Sequence, residues 1–572
     1  MKFKKLFSAA LAVTLAGSLL AACSSNNGNN ASPSSSSPSE SPSETASASA
    51  SASDTKLTAE QIFRMNLHSD PPTLDPGMAQ DNVSGTVLNG VFEGLTRVDN
   101  EENVLPGMAS EWTVSPDNLT YTFKLRDGIK WSTGEPVTAS DFEFAWKRVL
   151  DPNKETPSPY AYQLYYLKNA EEYNTKKITD ASQIGVKAQD DKTLVVELKS
   201  PTAYFLKLLS FYTYYPVSKA NVEQNANFDK EASTLATNGP FRLTEWKHNE
   251  SIKLTKNPDY YAVSEIKLNE VQMSMVSDPN TEISMFDTDK LDWAGRPVGE
   301  IPIDMIPSLK AKPEANLQIK GIASTYYYLL NNTVEPFDNL KIRQAFSMAI
   351  DRQALIDNVT LGEQKPAFGF VPFGIKGLDK EFREEHKDDY FSEDLEKAKQ
   401  LLAEGMKEKN YTKLPAIELI HNESAGHKKI ATAIADMWKK NLGVEVTIQS
   451  QEFGVFLTNR TNLDYQVARA GWGADYNDPM TFMDMWVTGG GNNDVGFSNK
   501  EYDGLITKAK ASADPKVRMD AMAAAEKILI DNANILPIYY YTAIWMQKPY
   551  VTDVSIDYKG EINFTRGSIA DH

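Results

Sequence analysis

A single cysteine in 572 residues leaves no intrachain disulfide and no thiolate metal cluster. Histidine is scarce too, with six in the chain. His421 and His427 flank "NESAG" at a spacing that suits no common metal pair on a helix. No GxSxG, HExxH, CxxC or phosphate loop ending in Gly-Lys-Ser/Thr occurs. "DTDKLDWAG" begins like a calcium loop, but Leu291 stands where an oxygen ligand is required. Positive charge is in deficit: 59 Lys and Arg against 77 Asp and Glu give a net charge of −18. That balance argues against nucleic acid, which needs a basic face. Beyond the N-terminus no run approaches the about 18 apolar residues of a membrane span. The expectation is a protein with no catalytic residues, no metal and no cofactor.

Enough is present to fold. Hydrophobic residues make up 41% of the chain and aromatics 10%, and the length calls for two or three domains. "MKFKKLFSAALAVTLAGSLLAACSSNN" opens with Lys2, Lys4 and Lys5, continues with an apolar stretch from Leu6 to Leu20, and ends in small residues before Cys23. This pattern reads as a secretory signal peptide over 1–22. "LLAAC" resembles the lipobox of bacterial lipoproteins, which implies cleavage before Cys23 and a lipid on its thiol. Residues 23–56, rich in Ser, Pro, Ala and Asn, cannot build a core and read as a disordered tether. A flexible chain of that length reaches roughly 30 Å.

The body from Leu57 mixes strands and helices. "LTYTFKLRDGIKW" alternates at Tyr121, Phe123 and Leu125 and turns at Asp127-Gly128, which predicts a hairpin. Thr138 and Asp141 have the spacing of a capping box, followed by Phe142, Ala145, Trp146 and Val149 on one helical face. "TLVVELKS" reads as a strand. Ile342, Ala345, Phe346, Ala349 and Ile350 mark another amphipathic helix, and "HKKIATAIADMWKKNL" a third, closed at Gly443 and followed by a strand through Val444, Val446 and Ile448. Tyr clusters in "YAYQLYYL", "FYTYY", "STYYYLLNN" and "PIYYY". Strand propensity and an amphipathic cavity lining explain these runs equally well. In "ARAGWGADYNDP", Gly471 and Gly473 leave the backbone bare on either side of Trp472, two residues before Asp475.

"LDPGMAQDNVSGTVLNGVFEGL", "YTFKLRDGIKWSTGEPVTASDFEFAWKRV", "TNGPFRLTEW", "NNTVEPFDNLKIRQAFSMAIDR" and "ARAGWGADYNDP" together resemble the oligopeptide-binding proteins of bacterial ABC importers. The resemblance runs from about Leu57 to the C-terminus. It implies an α/β, two-lobe periplasmic-binding-protein-like fold with a hinge and an extra inserted domain. Lobe I would take 57–92, 218–323 and 542–572, the inserted domain 93–217, and lobe II 324–541. It also implies short peptides as ligands, the permease and ATPase subunits of an ABC importer as partners, attachment to the outer face of the cell membrane through Cys23, and a monomer.

The resemblance extends to single residues. Asp475 matches the acid that binds the peptide α-ammonium, and Gly471, Trp472 and Gly473 the backbone that pairs with an extended ligand. Tyr160, Tyr327, Tyr541, Phe453 and Asn82 match positions around the ligand. Arg460, Arg469 and His427 match basic groups that receive its C-terminal carboxylate. One lysine of that set is replaced by Thr360, and the acid of the first lobe by Gln80, with Asp81 next to it as a substitute. Each of these residues also has a plainer reading: Arg469 as an internal partner of Asp475, Arg460 as a solvated surface charge, His427 as an exposed residue at a helix N-terminus. Rival functions are the same fold with nickel, haem, a sugar or a signalling peptide, and a cell-surface hydrolase or chaperone. Because a diacyl anchor holds stably where one chain does not, Cys23→Ala is expected to abolish incorporation of a labelled fatty acid. Equal label in variant and parent refutes the anchor.

Overall fold

The computed structural model describes residues 56–99, 103–202, 204–512 and 514–572. The signal peptide over 1–22, Cys23 and the tether up to residue 55 lie outside the described residues. An eleven-stranded sheet organises the body. Its elements, in chain order, begin with β1 (Ile62–Asn66) and α1 (Asn82–Val91). A separate four-stranded sheet follows, built from β2 (Ala109–Val114), β3 (Thr120–Leu125), β4 (Val186–Asp190) and β5 (Thr193–Glu197) in the order β2-β3-β5-β4, with α2 (Ala139–Val149) against it. The large sheet resumes with β6 (Phe241–Lys247), β7 (Ser251–Lys256), β8 (Glu270–Ser274), β9 (Trp293–Gly295) and β10 (Leu317–Leu330). Helix α3 (Leu340–Met348), β11 (Ile417–Asn422), α4 (Ala425–Leu442), β12 (Val446–Gln451), α5 (Phe453–Thr461) and β13 (Val467–Gly473) come next. Helix α6 (Pro515–Asp531) and β14 (Ile535–Gln547) complete the set. Ten strands follow the order β12-β11-β13-β10-β14-β9-β1-β8-β7-β6, and the eleventh, the two-residue strand Lys365–Pro366, pairs with β14 off this path.

The amphipathic stripes read from the sequence are core. Phe142, Ala145, Trp146 and Val149 are buried on α2, and the Asp141 carboxylate reaches back to the Thr138 N–H at 2.9 Å, closing the first turn. On α4, Ile430, Ile434 and Trp438 are buried, Ser424 caps the N-terminus, and Gly443 ends the helix at φ +70°, a conformation that favours glycine. The Trp438 indole donates to the Phe346 carbonyl at 2.9 Å, locking α4 to α3. The hairpin expected at Asp127-Gly128 does not form. Gly128 does turn the chain, at φ +72°. However, β3 pairs with β2 before it, through a turn at Ser115–Asn118, and with β5 far along the chain. After Gly128 a single bridge joins Lys130 to Pro136. Local alternation identified the strand, but its partners were decided by long-range burial of Tyr121 and Phe123.

Two long antiparallel strands, β10 and β14, run through the centre of the large sheet. Their ladder is regular from Leu317↔Met546 to Gly321↔Thr542, breaks, and resumes at Thr325↔Tyr540. In the gap, the Ala323 N–H donates to the Tyr558 carbonyl at 2.7 Å and its carbonyl accepts from Ala474 N at 2.9 Å. The backbone is thus satisfied there by other segments, and the two halves of the sheet meet at an interruption in the ladder. Such a break concentrates bending at a few residues, the construction expected of a hinge.

One buried ion pair pins the loop over residues 368–391. Glu526 of α6 accepts from the Phe370 N–H (2.6 Å), the Val371 N–H (2.8 Å), Arg383 (2.5 Å) and the Tyr390 hydroxyl (2.7 Å). Both partners are buried. Removing the charge leaves Arg383 uncompensated, so Glu526→Gln is expected to cost about 3–5 kcal/mol, measured by urea unfolding.

Candidate functional site

Strand β13 carries the stretch "VARAGWG". It pairs with β10 along its whole length, from Leu330↔Val467 to Ser324↔Gly473. On its other side β11 pairs only at Leu419↔Val467 and Ile420↔Ala468. Beyond Ala468, therefore, one edge of β13 is unpaired as far as Gly473, a run of roughly 13 Å at the rise of an extended chain. An edge with free N–H and C=O groups is a template for another extended chain. At Gly471 an added Cβ would sit 3.0 Å from the Tyr541 hydroxyl, so the bare backbone there is a packing requirement. At Gly473 the same atom would meet its nearest neighbour, the Lys559 carbonyl, at an ordinary 3.5 Å.

One end of this edge opens on a cleft of about 450 Å³, within the range of ligand pockets. Arg469, Gly471, Trp472, Tyr541, His427, Arg460, Phe453 and Asn82, all expected from the sequence, line it. Arg469 donates to the Tyr541 hydroxyl and to Asn422 Oδ1 (3.4 Å), and its guanidinium lies 4.8 Å over the Tyr326 ring. Its Nε has no hydrogen-bond partner among the described residues. Arg296 lies 4.8 Å over the Tyr541 ring. Burial lowers the Arg296 pKa from its ordinary value, and the nearby Arg469 charge adds to this. No carboxylate pairs with either guanidinium among the described residues. The cleft end is therefore a cationic, half-buried receptor for an anion.

His427 sits in the first turn of α4 with Nδ1 3.5 Å from the Tyr326 hydroxyl. Burial pushes its pKa well below the ordinary value, and Arg469, His421, His68 and Arg296 push it further. It is thus neither exposed nor a cation here: it is a neutral imidazole, able to donate one hydrogen bond. Arg460 is not a solvated charge. Its Nε meets Asp494 Oδ2 at 2.7 Å, with side chains 14% and 8% exposed, so it enters the cleft already neutralised.

The other end of β13 leads to Asp475, which opens on a second cavity of about 710 Å³. The Asp475 N–H donates to Thr481 Oγ1 (3.0 Å), and Gln163 Nε2 donates to its Oδ2 (3.0 Å). The Trp472 indole donates to the Thr481 carbonyl at 2.9 Å, so one threonine fixes both residues. Arg469 does not pair with Asp475: it points to Tyr541 and Asn422 at the opposite end of the strand. Burial raises the Asp475 pKa well above the usual carboxylate range. Lys559 opposes this, and Asp484 and Glu561 add to it. A half-buried carboxylate with no ion pair among the described residues favours an incoming ammonium.

The tyrosines divide. Tyr160 is buried against Phe211, Tyr212 and Trp472 beneath the loop that carries Asp475. Tyr327 packs on Phe370 and Trp486. By the pleat of β10 it faces the opposite side from Tyr326, the neighbour that meets Arg469 and His427. Asp81 is no free substitute for the lost acid, because its oxygens cap α1 by accepting the Ser84 N–H (2.8 Å) and hydroxyl (2.9 Å). Asn82 is exposed at the start of that helix. Sequence reasoning missed Arg296 and Tyr326. The signal for Arg296 was available: a charged residue in "WAGRPVGE", flanked by glycine and proline.

Residues 103–494 match the family model described as "Bacterial extracellular solute-binding proteins, family 5 Middle". The chain is 43% identical over 506 residues to the oligopeptide-binding protein OppA of Bacillus subtilis, covering 87% of this chain and 91% of that one. It superposes on peptide-bound OppA of Listeria monocytogenes with a TM-score of 0.84 at 31% identity, over 90% of this chain and all of that one. The unliganded open form of the murein tripeptide-binding protein MppA, 30% identical, gives 0.60 over 91% of this chain and 99% of that one. The chain thus superposes more closely on that peptide-bound relative than on this open form.

His427 makes a pH prediction. In the unfolded chain it takes up a proton near its ordinary pKa of 6.5, and in the folded protein it does not until well below that value. Below that pH the unfolded state binds the extra proton, so stability falls as pH drops. His427→Asn is expected to flatten the decline in melting temperature between about pH 7 and about pH 5. An unchanged slope shows that the folded protein already binds the proton.

Proposed function

The chain belongs to family 5 of the bacterial extracellular solute-binding proteins, and from that premise we propose that it captures oligopeptides and delivers them to the permease of an ABC importer. The half-open edge of β13 carries the reading. Between Ala470 and Gly473 it offers main-chain groups to an extended chain, with a carboxylate beyond one end and guanidinium groups at the other. A peptide has matching parts: an ammonium, a repeating amide backbone and a carboxylate. Asp475 receives the ammonium, β13 pairs with the backbone, and Arg469 and His427 receive the carboxylate. Recognition through main-chain groups leaves sequence unread, and water fills unused side-chain space. No covalent step is involved.

The same reading assigns lobe I to 57–92, 218–323 and 542–572, the inserted domain to 93–217, and lobe II to 324–541. The interrupted β10–β14 ladder at 321–325 supports a hinge at the join. Cys23 carries a lipid that holds the protein at the outer face of the membrane, and the protein acts as a monomer alongside permease and ATPase subunits. Similarity to the B. subtilis oligopeptide-binding protein supports the ligand class.

The test concerns Asp475. In the free protein, burial favours its protonated form. An ammonium ionises it, and charge-assisted hydrogen bonds contribute about 1.5–3 kcal/mol each. Asp475→Asn keeps the shape and removes the charge, with an expected loss of roughly 2–5 kcal/mol, or about 30- to several-thousand-fold in Kd. Isothermal titration uses a peptide identified by mass spectrometry of the co-purifying ligand, free and N-acetylated, against parent and variant. Acetylation is expected to weaken binding to the parent and to add little further loss in the variant. Equal binding of both peptides to the parent refutes the assignment of Asp475.

A further inference from the structure

Two guanidinium groups converge where one peptide carboxylate is expected. Arg296 and Arg469 both line the same cleft, Arg296 over the Tyr541 ring and Arg469 on its hydroxyl. Among the described residues, Arg296 makes one side-chain hydrogen bond, to the Pro297 carbonyl at 3.2 Å. The acids along this cleft have hydrogen-bond partners of their own and none forms an ion pair with Arg296 or Arg469 among the described residues, although the charge of Glu300 acts on Arg296 from a distance. Glu300 accepts from the Ser424 hydroxyl (2.5 Å) and the Gly426 N–H (3.4 Å) at the head of α4. Glu452 caps α5 through the Gly454 and Val455 N–H groups, each at 3.0 Å. Asp70 holds Trp246 (2.7 Å) and His248 (2.8 Å), and Asp81 caps α1. Glu423 is exposed. Arg460, by contrast, already has Asp494. A single carboxylate compensates one of the two free guanidiniums and leaves the other half-buried and unpaired, which is costly.

We propose that this end of the cleft binds a second negative charge, that its preferred ligands are peptides ending in Asp or Glu, and that Arg296 sets this preference. The inference rests on the peptide reading above. An acidic C-terminal residue places its α-carboxylate and side-chain carboxylate a few ångströms apart, matching two guanidiniums separated by one aromatic ring. The imidazole of His427, which lines the same cleft and is disfavoured as a cation by burial, adds hydrogen-bonding capacity without more charge.

The test compares Ala-rich peptides of three, four and five residues that differ only in Glu or Gln at the C-terminus, titrated calorimetrically into ligand-stripped protein. Parent protein is expected to prefer the Glu peptide by roughly tenfold to a hundredfold. Moving the Glu/Gln pair to the N-terminal position should abolish the ratio. Arg296→Gln is expected to bring the C-terminal ratio towards one, and Arg296→Lys to retain part of it. Equal affinity of the parent for Glu- and Gln-terminated peptides overturns the proposal without any variant, as does an undiminished ratio in Arg296→Gln. Failure of every peptide to bind overturns the peptide reading itself, and the proposal with it.

Discussion

From Ala470 to Gly473 the strand β13 is hydrogen-bonded on one side only. An unpaired edge is ordinarily a liability, because its N–H and C=O groups pair with whatever extended chain arrives. Here it is recessed. The Tyr541 hydroxyl sits against Gly471, Trp472 is locked to Thr481, and the Lys559 carbonyl stands over Gly473. These neighbours explain why the segment is poor in side chains: bulk at Gly471 meets Tyr541 and Arg469 before it meets any ligand. The rest of the site is arranged about this edge, with charges of opposite sign at its two ends.

Those charges run against the composition. The chain carries −18 overall, yet one end of its cleft is cationic and half-buried. Long-range charge keeps the protein soluble, while the local field is set by which groups find partners. Arg460 and Arg383 are neutralised by Asp494 and Glu526. Among the described residues the contacts of Arg296 and Arg469 are aromatic faces, a hydroxyl, an amide oxygen and a main-chain carbonyl, with no ion pair. Burial first, and then the same field, lower the His427 pKa, so the imidazole contributes a directed hydrogen bond in place of a third charge. At the far end the Asp475 carboxylate accepts from two neutral donors, Gln163 Nε2 (3.0 Å) and the Thr481 hydroxyl (3.4 Å), and has no ion pair among the described residues.

Much of this was legible in the sequence because it is local. The Thr138/Asp141 cap, the stop at Gly443 and the stripes on α2, α3 and α4 depend on residues within one helix, and all are present. The family, read from five short segments, brought Asp475, Arg469 and His427 with it. What was not legible depends on residues distant in sequence. Besides β2, strand β3 pairs with β5, from Thr120↔Glu197 to Lys124↔Thr193, and not across the nearby Asp-Gly turn. Asp494 meets Arg460 across 34 residues. Tyr326 and Tyr327 are indistinguishable in a run of three tyrosines, since one step along a strand reverses the face and only the register with β13 and β14 decides which meets the cleft. For Arg296 the local signal in "WAGRPVGE" marks the residue, but its want of an ion-pair partner depends on acids far away in the chain.

The placement of Arg296 and Arg469 connects the site to motion. Strand β9, which leads into Arg296, pairs with β14 on one side of the broken ladder, at Trp293↔Gln547 to Gly295↔Trp545. Strand β13, which carries Arg469, pairs with β10 on the other side, from Ser324 onwards. Tyr541 lies in the interruption itself and touches both guanidiniums. Bringing the two halves together without a ligand places two positive charges in one half-buried cleft, which opposes closure. An anion between them reverses the sign of that contribution. On the proposed reading, the ligand's acidic end therefore favours the closed arrangement by the difference between these two situations. Closure follows binding because the ligand interacts more favourably with that state, and the strands at the break need only bend.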